Sequence, residues 1–132
     1  VDTVGSIYTY YFEHGELPPT DQAHEYLIDG IGEDFMPETV LWDYIDEIIT
    51  IGDKAGYTAT MELARTEAIF TGSSGGAAAA GARLIARRIT TGDDPSGVSV
   101  EDGLIVTLLP DSGERYLSKL NEDWLRKHDL LD

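Results

Sequence analysis

Short apolar runs punctuated by glycine and proline fill most of the chain, and two stretches switch to helical period. Residues 1–25, with Gly15, Pro18, Pro19 and interleaved tyrosines, predict irregular backbone apart from a short helix near Ser6 to Phe12. The run "YLIDGI" at 26–31 predicts a short strand ending in Gly-Ile-Gly. Pro37 and Glu38 open a helical turn, and apolar positions from Val40 to Ile45 face inward. "EIITIGD" at 47–53 is β-branched and weakly alternating, which predicts a strand ending at Gly52. Asp53 is then the expected N-cap of a helix over 55–67, with Tyr57, Met61 and Ala64 on one face.

"AIFTGSSGGAAAAGARLIARRI" reads as a short buried strand, a glycine-rich turn and an alanine-rich helix over 76–89. Arg87 and Arg88 close that helix where cations suit its dipole. A polar loop over 91–102 leads to a strand at 104–109, the turn Pro110-Asp111-Ser112-Gly113 and a terminal helix from Glu114 to Arg126. Strands alternating with helices predict an α/β fold of parallel βαβ units with helices on both faces of the sheet.

Three predicted strand ends carry small or hydroxylic residues: Gly30-Ile31-Gly32, Gly72-Ser73-Ser74-Gly75-Gly76 and Pro110 to Gly113. In open α/β sheets ligands bind beyond the carboxyl ends of the strands, so the three turns are expected to line one pocket. The second turn offers N–H groups at a helix start, but it lacks both the G-x-G-x-x-G spacing and a P-loop lysine. The bland reading stays open beside this one: glycine and alanine let the helix lie close to the sheet, and Pro-Asp-Ser-Gly makes a good turn. Side-chain alternation carried into the last turn lets only one of Asp111 and Ser112 face a pocket.

The charge balance narrows the function classes. Acids outnumber bases 25 to 9, a net charge of −16 that repels phosphate backbones and argues against nucleic-acid binding. The acids are dispersed and lysine is confined to Lys54, Lys119 and Lys127, a surface typical of proteins from high-salt cytoplasm. There is no cysteine, hence no disulfide or thiolate metal site, which fits a cytoplasmic location. No apolar run is long enough to span a bilayer. His14, His24 and His128 share no helical spacing, so no metal site is expected. Glu33 and Asp34 read as a solvated loop pair, and Tyr8, Tyr10 and Tyr11 as core or subunit contact.

Taken in order, "VGSIY", "YLIDGIGEDFMPETV", "FTGSSGGAAAAGARLIARR" and "VTLLPDSGERYLSKL" resemble the C-terminal part of the catalytic region in the cystathionine β-synthase/cysteine synthase family. These are pyridoxal-phosphate enzymes of fold type II. The resemblance implies that residues 1–132 form one incomplete α/β domain, the C-terminal portion of the larger, parallel-sheet cofactor domain. It implies pyridoxal 5'-phosphate as cofactor, with Ser112 bonding the pyridine nitrogen and Gly30, Gly72 and Ser74 bordering it. Asp29, Ile31 and Gly32 fall on the substrate side. Family members often carry glutamate where this chain has Asp29.

None of the three lysines sits in the family's cofactor-coupling motif, so the resemblance implies no catalytic residue within this chain and no turnover by it alone. The remainder of its own catalytic chain is the implied partner, together with amino-acid substrates and a second subunit in a homodimer. The implied reaction is condensation of serine with homocysteine to cystathionine. The alternatives are cysteine synthesis from O-acetylserine and sulfide, or a non-catalytic α/β interaction module.

Overall fold

The computed structural model describes residues 1–19 and 21–131. Its sheet pairs β1 (Asp2–Thr3) with β2 (Thr50–Ile51) in parallel, Asp2 opposite Thr50 and Thr3 opposite Ile51. The first helix, α1 (Tyr8–His14), is tied to β1 through Asp2, whose Oδ2 accepts from the Thr9 amide at 3.0 Å and hydroxyl at 2.7 Å. Helices α2 (Asp53–Thr66) and α3 (Ser73–Thr91) pack along each other, and α3 also touches β2. A 3₁₀ turn, Gly113–Tyr116, and a short α4 (Glu122–Lys127) complete the α/β fold.

Small residues make the α2–α3 contact close. Gly76 sits where an added Cβ would collide with Thr60 Oγ1 and the Gly56 carbonyl, so only glycine admits this spacing. The core gathers Ile28, Ile51, Tyr57, Ala59, Ala77 and Ala80 with Leu125 and Leu130 from the far end of the chain. Gly92, at φ 77°, ends α3 in the left-handed conformation that glycine adopts without a Cβ penalty.

Several expected elements take another form. Residues 26–31 make a turn rather than a strand, because the Asp53 carboxylate accepts from the amides of Leu27 (2.9 Å) and Ile28 (3.1 Å). Asp53 is therefore the first residue of α2 and clamps a loop instead of capping its own helix; Gly52 holds the cap position. Thr71 and Ser112 make a single antiparallel bridge where a buried parallel strand was predicted at 68–71.

Residues 104–109 form no strand: Leu104, Val106 and Leu108 are exposed, and no strand of the described residues lies alongside to accept their ladder. The terminal helix is broken at 117–121 because Asn121 starts a new one, its side chain accepting from the Trp124 amide at 3.0 Å. Helix α3 begins at Ser73, three residues before the expected start. No helix among the described residues is long and apolar enough to cross a membrane.

Candidate functional site

The start of α3 is the meeting point of the glycine-bearing turns. Gly72 precedes the helix in extended conformation without a side-chain cap, so the amides of the first helical turn have no intrahelical acceptor. Ser73 and Ser74 are buried there. Ser73 Oγ accepts from the Asp29 amide at 3.2 Å, which brings the 29–32 turn onto the helix start. Gly30, at φ 83°, faces Ser74: a Cβ there would lie 3.9 Å from its Oγ, at ordinary van der Waals distance.

The third turn arrives through β-type contacts. Thr71 pairs with Ser112, the Gly113 amide donates to the Phe70 carbonyl at 3.0 Å, and Thr71 Oγ1 donates to the Asp111 carbonyl at 3.1 Å. Asp29, Gly30, Gly72, Ser74 and Ser112 are thereby brought into one region. Ile31 packs partly buried against the core. Gly32 faces the other way, where a Cβ would lie 2.8 Å from both Thr3 Cγ2 and Ser6 Cβ, so it serves the fit of the 3–6 loop.

Asp111 and Ser112 divide their roles. Asp111 Oδ2 accepts the Tyr116 hydroxyl at 2.5 Å, and that hydrogen bond raises the Tyr116 pKa above its ordinary value. Its Oδ1 is buried without a partner. Both groups crowd Gly72, where a Cβ would lie 2.5 Å from Tyr116 Cε2 and 2.6 Å from Asp111 Oδ1. The Ser112 hydroxyl donates to the Glu114 carboxylate. It is a neutral rotor beside the glycine floor, with one donor and spare lone pairs.

Residues outside the expected set join the wall. Lys119 Nζ donates to both carboxylate oxygens of Asp29, at 2.8 and 2.6 Å, linking positions 90 residues apart. Tyr57, buried beneath the loop, donates to the Leu27 carbonyl at 2.9 Å. Nothing in the sequence pairs Lys119 with Asp29.

A cavity of about 1020 Å³ is lined by Ile7, Pro18, Tyr26, Glu33 and Asp34 among others. It contains none of the expected site residues, and acids in its wall repel a phosphate. Burial, reinforced by Glu33, raises the pKa of Tyr8 and Tyr26 close by. Tyr8 and Tyr11 pack their rings on Trp42 with centroids 5.8 and 4.8 Å apart, within one chain.

Comparison with known proteins places the chain in a family. Residues 1–102 match the family described as "Pyridoxal-phosphate dependent enzyme". The chain is 34% identical over 105 residues to the O-acetylserine dependent cystathionine beta-synthase of Bacillus subtilis, covering 80% of this chain and 31% of that protein. It is 38% identical over 96 residues to a probable cysteine synthase of the same organism, covering 73% and 27%. The crystal structure of O-acetylserine dependent cystathionine beta-synthase from Helicobacter pylori superposes with a TM-score of 0.59 at 34% identity, over 89% of this chain and 32% of that one. The chain thus spans about a third of the length of the relatives it matches. With most of its residues under one family's description and the same scaffold in a solved relative, this chain is a member of the pyridoxal-phosphate dependent enzyme family.

Proposed function

We propose that the chain is part of a pyridoxal-phosphate-dependent β-replacement enzyme of the cystathionine β-synthase type, joining serine or an O-acylated serine to homocysteine. Residues 1–132 are one incomplete α/β domain in this reading, completed by more of the same polypeptide, which supplies the cofactor-coupling lysine. The observation that carries the reading is the meeting of the Gly30, Gly72 and Ser112 turns at the start of α3.

The residues present fit the ring end of the cofactor. Ser112 offers a neutral hydroxyl beside the Gly72 turn, and Gly72 itself lets Tyr116 and the buried, unpartnered Asp111 Oδ1 pack against that turn. Bound pyridoxal phosphate supplies an electron sink for bonds to the substrate α-carbon.

Ser112, whose hydroxyl is held by Glu114 here, would be the residue to offer the pyridine nitrogen a neutral donor, which would orient the ring with a mild electron pull. A carboxylate in that place would hold the nitrogen protonated; Asp111 is kept from it by Tyr116. The uncapped amides at the start of α3 would favour an anionic group there through the helix dipole. Assembly as a homodimer in the cytoplasm belongs to the same reading.

The second reading, cysteine synthase, is favoured by the 38% identity to the Bacillus subtilis relative of that name. The test is to supply the full-length protein and pyridoxal phosphate with serine or O-acetylserine plus homocysteine, and separately with O-acetylserine plus sulfide. Faster formation of cystathionine is expected. Cysteine as the only product moves the assignment to the second reading. Neither product, with no uptake of cofactor, leaves a non-catalytic interaction module.

A further inference from the structure

We propose that Asp29 and Lys119 are a positioning pair that fixes the Gly30-Ile31-Gly32 turn against the Ser112 turn, setting the width of the cofactor cradle. The proposal rests on the cofactor reading above and assigns Asp29 a different task from handling substrate.

The contacts around the cradle form a closed ring. The Asp29 amide bonds Ser73 Oγ at the start of α3. Two residues earlier Thr71 bonds the Asp111 carbonyl and bridges to Ser112. The Asp111 carboxylate holds the Tyr116 hydroxyl, and the Tyr116 carbonyl accepts from the Lys119 amide at 2.8 Å. Lys119 Nζ then returns to both oxygens of Asp29.

Among these links the ion pair is the one that joins the 29–32 turn directly to the segment following Ser112 by side chains alone. Without the pair, the 29–32 turn keeps its anchors at Asp53, Ser73 and Ser6 but loses its side-chain link to the segment that follows Ser112.

Energetics distinguish positioning from general stabilisation. The side chains retain 33% exposure at Lys119 and 41% at Asp29, so solvent screens the pair and it adds little to global stability. Its bidentate geometry nevertheless fixes a distance between segments 90 residues apart, and that constraint matters where a rigid ring must be gripped on two sides. With both Asp29 oxygens facing an ammonium, the carboxylate serves as a tether rather than a base.

The experiment uses the full-length protein with Lys119→Ala, Asp29→Asn, the double variant and Lys119→Arg. Pyridoxal phosphate is titrated into the unloaded forms, and backbone amide exchange is measured on the same ligand-free proteins. Each single variant is expected to weaken cofactor binding about tenfold, equivalent to ~1.4 kcal/mol. The double variant should be no worse than either single one, and Lys119→Arg should recover most of the affinity because guanidinium also grips a carboxylate at two points.

Exchange should quicken in residues 29–33 and 113–119 while α3 stays protected. Additive losses, unchanged exchange in both turns, or a kcat loss in Asp29→Asn far beyond that in Lys119→Ala would overturn the proposal, the last by making Asp29 a reacting group. Failure of the unmutated protein to take up cofactor would sink the functional reading instead. The exchange pattern would still decide whether the pair holds the turns.

Discussion

At the scale of single residues, Tyr57 is 1% exposed and its hydroxyl donates to the Leu27 carbonyl at 2.9 Å. Burial pushes its pKa from 10.0 to about 12; hydrogen bonding with Ser73 opposes this, while Asp29 and Asp53 add to it. The folded state therefore favours the neutral phenol. That preference stabilises the fold fully below pH 10 and is lost as pH rises toward about 12. Tyr57→Phe should cost about 1 kcal/mol at neutral pH, because the Leu27 carbonyl loses its donor, and should blunt the alkaline decline. Denaturant midpoints at pH 8 and pH 11 check both effects.

Ser112→Ala in the full-length protein should keep the fold and weaken cofactor binding by about 1 kcal/mol, the worth of one neutral hydrogen bond. Ser112→Asp should be worse for β-replacement, through the protonation state it imposes. Asp111→Asn should leave the cofactor spectrum nearly unchanged and act on the turn, since Asp111 is engaged by Tyr116. Absorbance titration separates the three variants. Asp111→Asn abolishing the spectrum, with Ser112→Ala silent, would reverse the two roles.

Among the elements, the α2–α3 pair depends most on a single atom. Gly76→Ala introduces a Cβ into Thr60 Oγ1 and the Gly56 carbonyl, and the backbone on one side is too stiff to yield. Overpacking of this kind costs about 3 kcal/mol, and a lowered chemical-denaturation midpoint with retained helical circular dichroism is the expected result. Helical period and glycine punctuation are local properties, which is why α2, α3 and the Gly72–Gly76 turn are legible in the sequence. A strand is defined by its neighbour. The run at 104–109 has the composition of a strand and no strand of the described residues beside it; the run at 26–31 is bent by Asp53 from 25 residues away. The Gly72 and Ser112 turns were legible because each precedes a helical segment, and Gly30 because glycine-rich sequence marks a turn. The Asp29–Lys119 tether was not, since ion pairing across 90 residues leaves no periodic trace.

Over the whole molecule, a charge of −16 sets the stability's response to salt. Bases are used in local pairs: Arg83 with Glu62 across α3 and α2, and Arg88 with both oxygens of Glu47 at 2.6 and 2.7 Å. The dispersed acids left over repel one another until salt shortens the screening length from about 10 Å at 0.1 M to about 3 Å at 1 M. The full-length protein should melt at higher temperature in molar KCl than in dilute buffer; a flat or falling melting temperature would show that self-repulsion is not what limits it. Light scattering of the same sample should give a dimer at working concentration.

The route by which the chain returns to its own core has a further consequence. Leu125 and Leu130 are buried with Ile28 and Tyr57, yet they are reached only through the exposed loop 95–104. A single break introduced between Glu101 and Asp102 would therefore yield two pieces that migrate together under native conditions and separate only in denaturant. The molecule is divisible there as a covalent chain while remaining one folded body, which makes that loop the place to divide it into two complementing halves.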